Sequence, residues 1–261
     1  MLDTGTHQAA GLAALAPDHS PRIVALASHG DRASELPLLW QLCAAWTTLG
    51  YPVLALDATV RETESAPGLL QLLLDSDEWS RLAPGAGDWP VVPAALGLAE
   101  LGRAAGSSPA GASAGRARQL TELFPGYELI VLYAPARELA QVFPASRLSP
   151  LLPVSTRDAA LLSAYHALKQ LLNLGKLRPT IVAVMNDTSV ATRMAGQGVS
   201  RNLQDCARDF LACEVPALTV CPAQADEMNR LALRTLENAL QAPPWLLTQA
   251  AAASAPAARS L

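Results

Sequence analysis

The chain has 261 residues, is 51% hydrophobic and 16% charged, and carries a net charge of −4. Those values suit one α/β domain with a sizeable core and give no general electrostatic pull toward nucleic acid. No run reaches the roughly 18 apolar residues that span a bilayer, no basic residue precedes Arg22, and Cys43, Cys206, Cys213 and Cys221 lack C-x-x-C spacing. The expectation is a cytoplasmic protein with reduced, buried thiols.

Residues 1–20 read as a flexible segment, 21–241 as the folded domain and 242–261 as a loose Ala-rich tail. The domain opens on Ile23-Val24-Ala25-Leu26-Ala27, a short apolar run suited to a buried parallel strand. A turn, Ser28 to Glu35, follows, and Glu35 to Leu49 reads as a helix closed by Gly50. Tyr51 to Asp57 is a second buried strand ending in an acid. Residues 61–90 look helical and then loop-like, with an acidic exposed turn at Asp75, Asp77 and Glu78, and Val91-Val92-Pro93 is a short strand. The Gly-, Ser- and Ala-rich stretch from Ala104 to Gly115 reads as a surface loop.

Tyr127 to Tyr133, Leu151 to Val154, Thr180 to Asn186 and Leu218 to Val220 are further strands. Between them stand helices at Asp158–Leu174, with Ser155 or Thr156 as cap and Gly175 after it, and at Asn202–Ala212. Glu227 to Gln241 is an amphipathic helix with Met228, Leu231, Leu236 and Leu240 broadly on one face. Its arginines are balanced by Glu227 and Glu237, so membrane contact through it is weak or absent. Trp40 and Trp46 read as packing residues. Strands alternating with helices predict a three-layer architecture, a parallel sheet covered on both faces.

The turn after the first strand stands where phosphate-binding loops occur, and its chemistry is reversed. Such loops present backbone N–H groups and the positive end of a helix dipole to an anion, and a lysine reaches the outer phosphates. Here the side chains are acidic, Asp31 and Glu35, and the chain's only lysines are Lys169 and Lys176. Each like-charge pair at about 4 Å costs roughly 4 kcal/mol at an effective dielectric of 20. The expectation is a site that stays empty of nucleotide. Two other chemistries are poorly supported. Ser28-His29-Gly30 is half of a nucleophile elbow, without the preceding sheet strands that motif needs, and no glycine fingerprint marks a dinucleotide site. His19 and His166 belong to no metal cluster.

Strand, turn, helix, then Gly50-Tyr51-Pro52-Val53-Leu54-Ala55-Leu56-Asp57-Ala58-Thr59 resembles the start of a MinD/ParA-type P-loop ATPase. The resemblance covers roughly residues 21–241, on element order and spacing more than on motif identity, and implies the P-loop NTPase fold. On that alignment Gly30 replaces the signature lysine, Asp31 and Arg32 stand on glycines, and Ser34 on the last glycine. Glu35 replaces the phosphate lysine and Leu36 the magnesium-binding hydroxyl, while Thr59 replaces the second acid of Asp-x-Asp and Tyr133 the Walker B acid. Asn186 falls on an asparagine that contacts the base. Phosphoryl transfer rests on positioned positive charge around the γ-phosphate, so these losses imply a pseudo-ATPase with no catalytic residue, no metal and no ATP or Mg²⁺ cofactor. The vestigial site comprises Ser28, His29, Gly30, Asp31, Ser34, Glu35, Asp57, Thr59, Tyr133 and Asn186.

His7-Gln8-Ala9-Ala10-Gly11-Leu12-Ala13 resembles the N-terminal docking element of FlhG, the MinD-like regulator of flagellar number. Gln8, Ala9 and Leu12 match, whereas His7 and Ala13 replace an acidic and a basic position. The resemblance implies a non-catalytic regulator that binds a protein partner, a flagellar signal-recognition-particle-type GTPase. The residues leave two alternatives open: an atypical, slow MinD-like ATPase, or an accessory of cellulose secretion or pilus assembly.

Overall fold

The computed structural model describes residues 21–74, 89–103 and 109–241. Its centre is β1 (Arg22–Ser28), which pairs in parallel along its whole length with β4 (Leu129–Pro135). On one side of this pair lie β2 (Val53–Asp57) and β3 (Val91–Pro93), and on the other β5 (Leu151–Val154), β6 (Thr180–Val184) and β7 (Ala217–Val220). The order is β3-β2-β4-β1-β5-β6-β7, and all of these pairings are parallel. The strands are apolar on both faces because both faces are covered. Ile23, Ala25 and Ala27 point into one core, Val24 and Leu26 into the other.

The second of these cores lies under α1 (Arg32–Thr48) and α8 (Ala225–Glu237). Trp46 is fully buried there, and its indole N–H donates to the Ala232 carbonyl at 3.0 Å, tying α1 to α8. The first core is closed by α2 (Leu69–Leu74), α3 (Ala95–Arg103), α4 (Pro109–Leu123), α5 (Ala136–Val142), α6 (Asp158–Lys169) and α7 (Val190–Leu211). A π-helical turn, Gln170–Leu174, extends α6. After it Gly175 lets the backbone approach α5, where a Cβ would stand 2.8 Å from Ala140 Cα.

Several sequence expectations are corrected. The Ala-rich stretch is no loop from Pro109 onward but the start of α4, which runs to Leu123. Alanine is the strongest helix former, and Ala117 and Leu120 bury its inner side. α7 begins at Val190, twelve residues before Asn202, because Ser189 caps it by accepting the Thr192 N–H at 3.2 Å. α8 ends at Glu237, and Leu240–Gln241 instead forms β8, antiparallel to the start of β1. Neither Ser155 nor Thr156 caps α6, whose N-cap is Arg157 with no side-chain bond to the helix. Between residues 61 and 74 the only helix is α2, and α3 and α5 had no counterpart in the sequence reading. Trp40 is 48% exposed and packs on Trp89 with the rings tilted at 53° and their centroids 5.5 Å apart, so it is no core residue. Cys43 and Cys221 are buried, but Cys206 and Cys213 are partly exposed. The acidic turn at Asp75, Asp77 and Glu78 lies outside the described residues, as do residues 1–20 and 242–261.

Candidate functional site

The chain crosses between the two halves of the sheet on either side of β1, so the loop after β1 opens at the carboxyl edge of the strands, where ligands bind in open α/β sheets. Ser28 ends β1 opposite Pro135 of β4, and Asp57 ends β2 opposite Tyr133. Gly30 takes φ +94°, a left-handed conformation that turns the loop back toward α1. Asp31 is the N-cap residue of α1, although its side chain makes no cap bond to the helix amides. Its carbonyl accepts the N–H groups of Ser34 and Glu35 at 2.9 and 3.0 Å.

Glu35, in the first turn of α1, is fully buried and its carboxylate folds back into the loop. Oε1 accepts the backbone N–H of His29 at 2.8 Å and that of Asp31 at 3.0 Å. Oε2 accepts the Ser28 hydroxyl at 2.8 Å and the Tyr133 hydroxyl at 2.6 Å. A carboxylate is an acceptor-only group, and the donors here converge on both of its oxygens. The backbone amides of the loop are therefore directed at an anion that the chain itself supplies. The loop expected to stay empty of nucleotide holds a carboxylate of its own chain. Burial raises the Tyr133 hydroxyl well above its ordinary pKa, and the hydrogen bond to Glu35 adds to the shift.

Asp31 is nearly buried and faces the other way. It accepts the Ser34 hydroxyl at 2.8 Å and a guanidinium N–H of Arg157, the residue before α6. Burial alone would raise its pKa, but hydrogen bonds from Ser155 and Ser34 and the charge of Arg157 outweigh it and hold the carboxyl below its ordinary value. His29 spans the same gap. Its Nε2 lies 2.7 Å from the Pro153 carbonyl, which can only accept, so Nε2 carries the proton and Nδ1 faces the Ser163 hydroxyl at 2.8 Å. These contacts tie the loop to β5 and α6 around a cavity of about 270 Å³ lined by Gly30, Asp31, Arg157 and Ser163 among others.

Asp57 is turned inward on its own loop, accepting the Thr59 N–H at 2.8 Å and the Thr59 hydroxyl at 2.6 Å. Arg32 reaches the same hydroxyl at 3.5 Å. Asn186 follows β6, is exposed, and makes no side-chain hydrogen bond among the described residues. Ser28, His29, Asp31, Ser34, Glu35 and Tyr133 are thus joined in one network, whereas Asp57 with Thr59 forms a separate pair and Asn186 stands apart. Gln8, Ala9 and Leu12 lie outside the described residues. Among the described residues no group of three or more His, Cys, Asp or Glu side chains could hold a metal ion, and no helix is long and apolar enough to cross a membrane.

Glu62 is a buried acid that the sequence reading did not single out. Its carboxylate accepts the N–H groups of Leu70 at 3.3 Å, Leu96 at 2.7 Å and Gly97 at 2.8 Å, joining the N-termini of α2 and α3. Negative charge is favoured at both helix starts. Glu62, one of two acids in the Arg61-to-Ser65 segment, carried no spacing signal, because its partners are backbone groups up to 35 residues away.

No family model matches the chain, and no curated protein matches it by sequence. Solved structures do match. Cobyrinic acid a,c-diamide synthase from Mycobacterium smegmatis with bound ADP and magnesium has TM-score 0.56 at 15% identity, over 86% of this chain and 100% of that one. The structure of pnob8 ParA has TM-score 0.52 at 12% identity, over 84% and 99% of the two chains. The ATP complex of McdA from Cyanothece has TM-score 0.52 at 12% identity, over 84% and 97%. With its sheet order and its loop after β1, the chain has the MinD/ParA-type P-loop NTPase fold.

Proposed function

We propose that this chain is a MinD-like protein whose phosphate loop is closed by its own glutamate, and that it acts by binding partners rather than by turning over ATP. The observation that supports this most is Glu35 on the His29 and Asp31 amides. A phosphate seated in the loop needs those same donors. It would meet a carboxylate at contact distance, at roughly 4 kcal/mol for each unit-charge pair at about 4 Å and an effective dielectric of 20. Expelling Glu35 instead would strip its hydrogen bonds from Ser28 and Tyr133 as well.

The synthase of the same fold is described with ADP and magnesium, and McdA with ATP. The residues of this chain do not fit such a ligand. Glu35 occupies the loop amides, the chain's only lysines are Lys169 and Lys176, and Asp57 is engaged with Thr59. No catalytic step is therefore assigned to the loop, and the vestigial residues act as a structural clasp.

The partner in this reading is a flagellar signal-recognition-particle-type GTPase, contacted through Gln8, Ala9 and Leu12, and the role is control of flagellar number or placement in the cytoplasm. The tests are separable. Isothermal titration with ATP and ADP in Mg²⁺ is expected to give no binding heat, and micromolar affinity rejects the closed-loop reading. Co-purification with the flagellar GTPase is expected for the full chain and not for a chain lacking residues 1–20. Equal capture of both, or of neither, rejects the docking element.

A further inference from the structure

β7 is an edge strand: it pairs with β6, and no strand pairs with its outer side among the described residues. Natural sheets blunt their edges with short strands, proline, charge or a covering element. The opposite edge strand, β3, spans only Val91–Pro93 and ends in proline. β7 runs Ala217–Val220 with no proline inside it. Ile181 N–H donates to the Pro216 carbonyl and Met185 N–H to the Val220 carbonyl, so the even-numbered residues of β7 face β6. In a parallel ladder the alternate residues face away, which turns the N–H and C=O of Ala217 and Thr219 outward.

That edge opens into a cavity of about 330 Å³ between α7 and α8. Its apolar floor is Leu218, Val220 and Leu231, and its rim is Arg193, Arg230 and Arg234. Glu227 is the acid on the same rim, and it is already engaged by the Cys221 N–H at 2.8 Å and by Arg193 at 3.1 Å. Arg230 gives only its Nε, to the Asp226 carbonyl at 3.2 Å, and Arg234 makes no side-chain hydrogen bond among the described residues. In a chain of net charge −4, this groove carries an excess of exposed guanidinium groups beside free strand backbone.

From these features we infer that the β7 edge is a docking site for an extended acidic segment of a protein partner. The segment adds a strand through the outward groups of Ala217 and Thr219, seats its apolar side chains on Leu218 and Leu231, and offers carboxylates to Arg230 and Arg234. Strand addition supplies affinity through the main chain and specificity through alternate side chains. The inference rests on the reading of the chain as a partner-binding protein, and it is independent of the Glu35 loop.

The test uses the full chain and a fluorescein-labelled hexapeptide of alternating valine and glutamate, with the valine–lysine peptide as control. Saturable binding of the glutamate peptide alone is expected by anisotropy. Amide exchange at Ala217 and Thr219 is expected to slow, with Leu218 and Val220 unchanged. The surface double variant Arg230→Glu/Arg234→Glu is expected to weaken binding about tenfold or more. Absence of saturable binding, equal binding of the lysine peptide, or an unaffected double variant overturns the inference. So does displacement by inorganic pyrophosphate without amide protection, which marks a simple anion site. A failed peptide titration leaves the nucleotide titration of the wild-type loop untouched, so the two readings fail separately.

Discussion

The Tyr133 hydroxyl and the Glu35 carboxylate meet at 2.6 Å across 98 residues of sequence, in the buried space beneath the loop after β1. Tyr133 belongs to β4, the strand beside β1, and Glu35 to the first turn of α1, so the bond fixes the start of the helix on the sheet. With Ser28 on the same carboxylate oxygen and two loop amides on the other, the Glu35 carboxylate is the occupant of the loop.

Removing that occupant should destabilise the fold and free the loop for other anions. Glu35→Ala is expected to cost about 3 kcal/mol, because buried donors lose their acceptor. Glu35→Gln is expected to cost about 1 kcal/mol, since the Ser28 and Tyr133 hydroxyls can turn to accept from the new amide. Urea denaturation measures both. Pyrophosphate at about ten times a millimolar Kd should then stabilise Glu35→Ala by roughly 1.4 kcal/mol and leave the wild type unchanged.

The alkaline limit of stability should report the same contact. Burial, then the Glu35 hydrogen bond, raise the Tyr133 pKa, and burial alone pushes the Cys43 thiol up to about 12. Both groups are neutral when protonated, and the unfolded chain loses its protons first. Their contribution is complete below the ordinary values of 10.0 and 9.0 and is lost as pH rises toward the folded values. Circular dichroism across the alkaline range should show unfolding in that window. Tyr133→Phe should flatten the slope, at a cost of about 1 kcal/mol at neutral pH.

Asp31 contributes at the acid limit with the opposite sign. Its folded pKa lies below the ordinary 3.8, so its stabilisation is present above that value and is lost as pH falls through the folded one. Arg157 contributes to this shift, but its side chain is 60% exposed and solvent screens it. Arg157→Ala is therefore expected to cost less than about 1 kcal/mol at neutral pH. It should also move the acid unfolding midpoint upward, which a pH titration of circular dichroism would show.

Glu62 is expected to matter as much as any core side chain. Glu62→Ala removes the acceptor shared by Leu70, Leu96 and Gly97, and is expected to cost about 2–3 kcal/mol in urea denaturation. Gly68→Ala tests the same junction sterically, since its Cβ would lie 2.0 Å from the Pro93 carbonyl oxygen. It is expected to cost about 3 kcal/mol.

The strands were readable because each is a short apolar run bounded by Gly, Pro or polar residues, and their alternation with helices gave the three-layer fold. α4 was misread because its Gly, Ser and Ala content resembles a linker, while its helicity rests on Ala117 and Leu120 meeting the core. β8 was hidden because two residues carry no period, and only the start of β1 makes them a strand. At the site, the sequence placed two acids, Asp31 and Glu35, in the turn after β1. It could not show where Glu35 points, since that depends on helix phase and on Tyr133 arriving from a distant strand. Asp57 and Thr59, two residues apart, formed a local turn rather than joining the network.

The most direct test is a crystal structure grown with magnesium and a non-hydrolysable ATP analogue at saturating concentration. The Glu35 carboxylate is expected to remain within hydrogen-bond distance of the His29 and Asp31 amides, with no phosphate in the loop. Ordered phosphate density against Gly30 and Ser34, with Glu35 swung out, would contradict it.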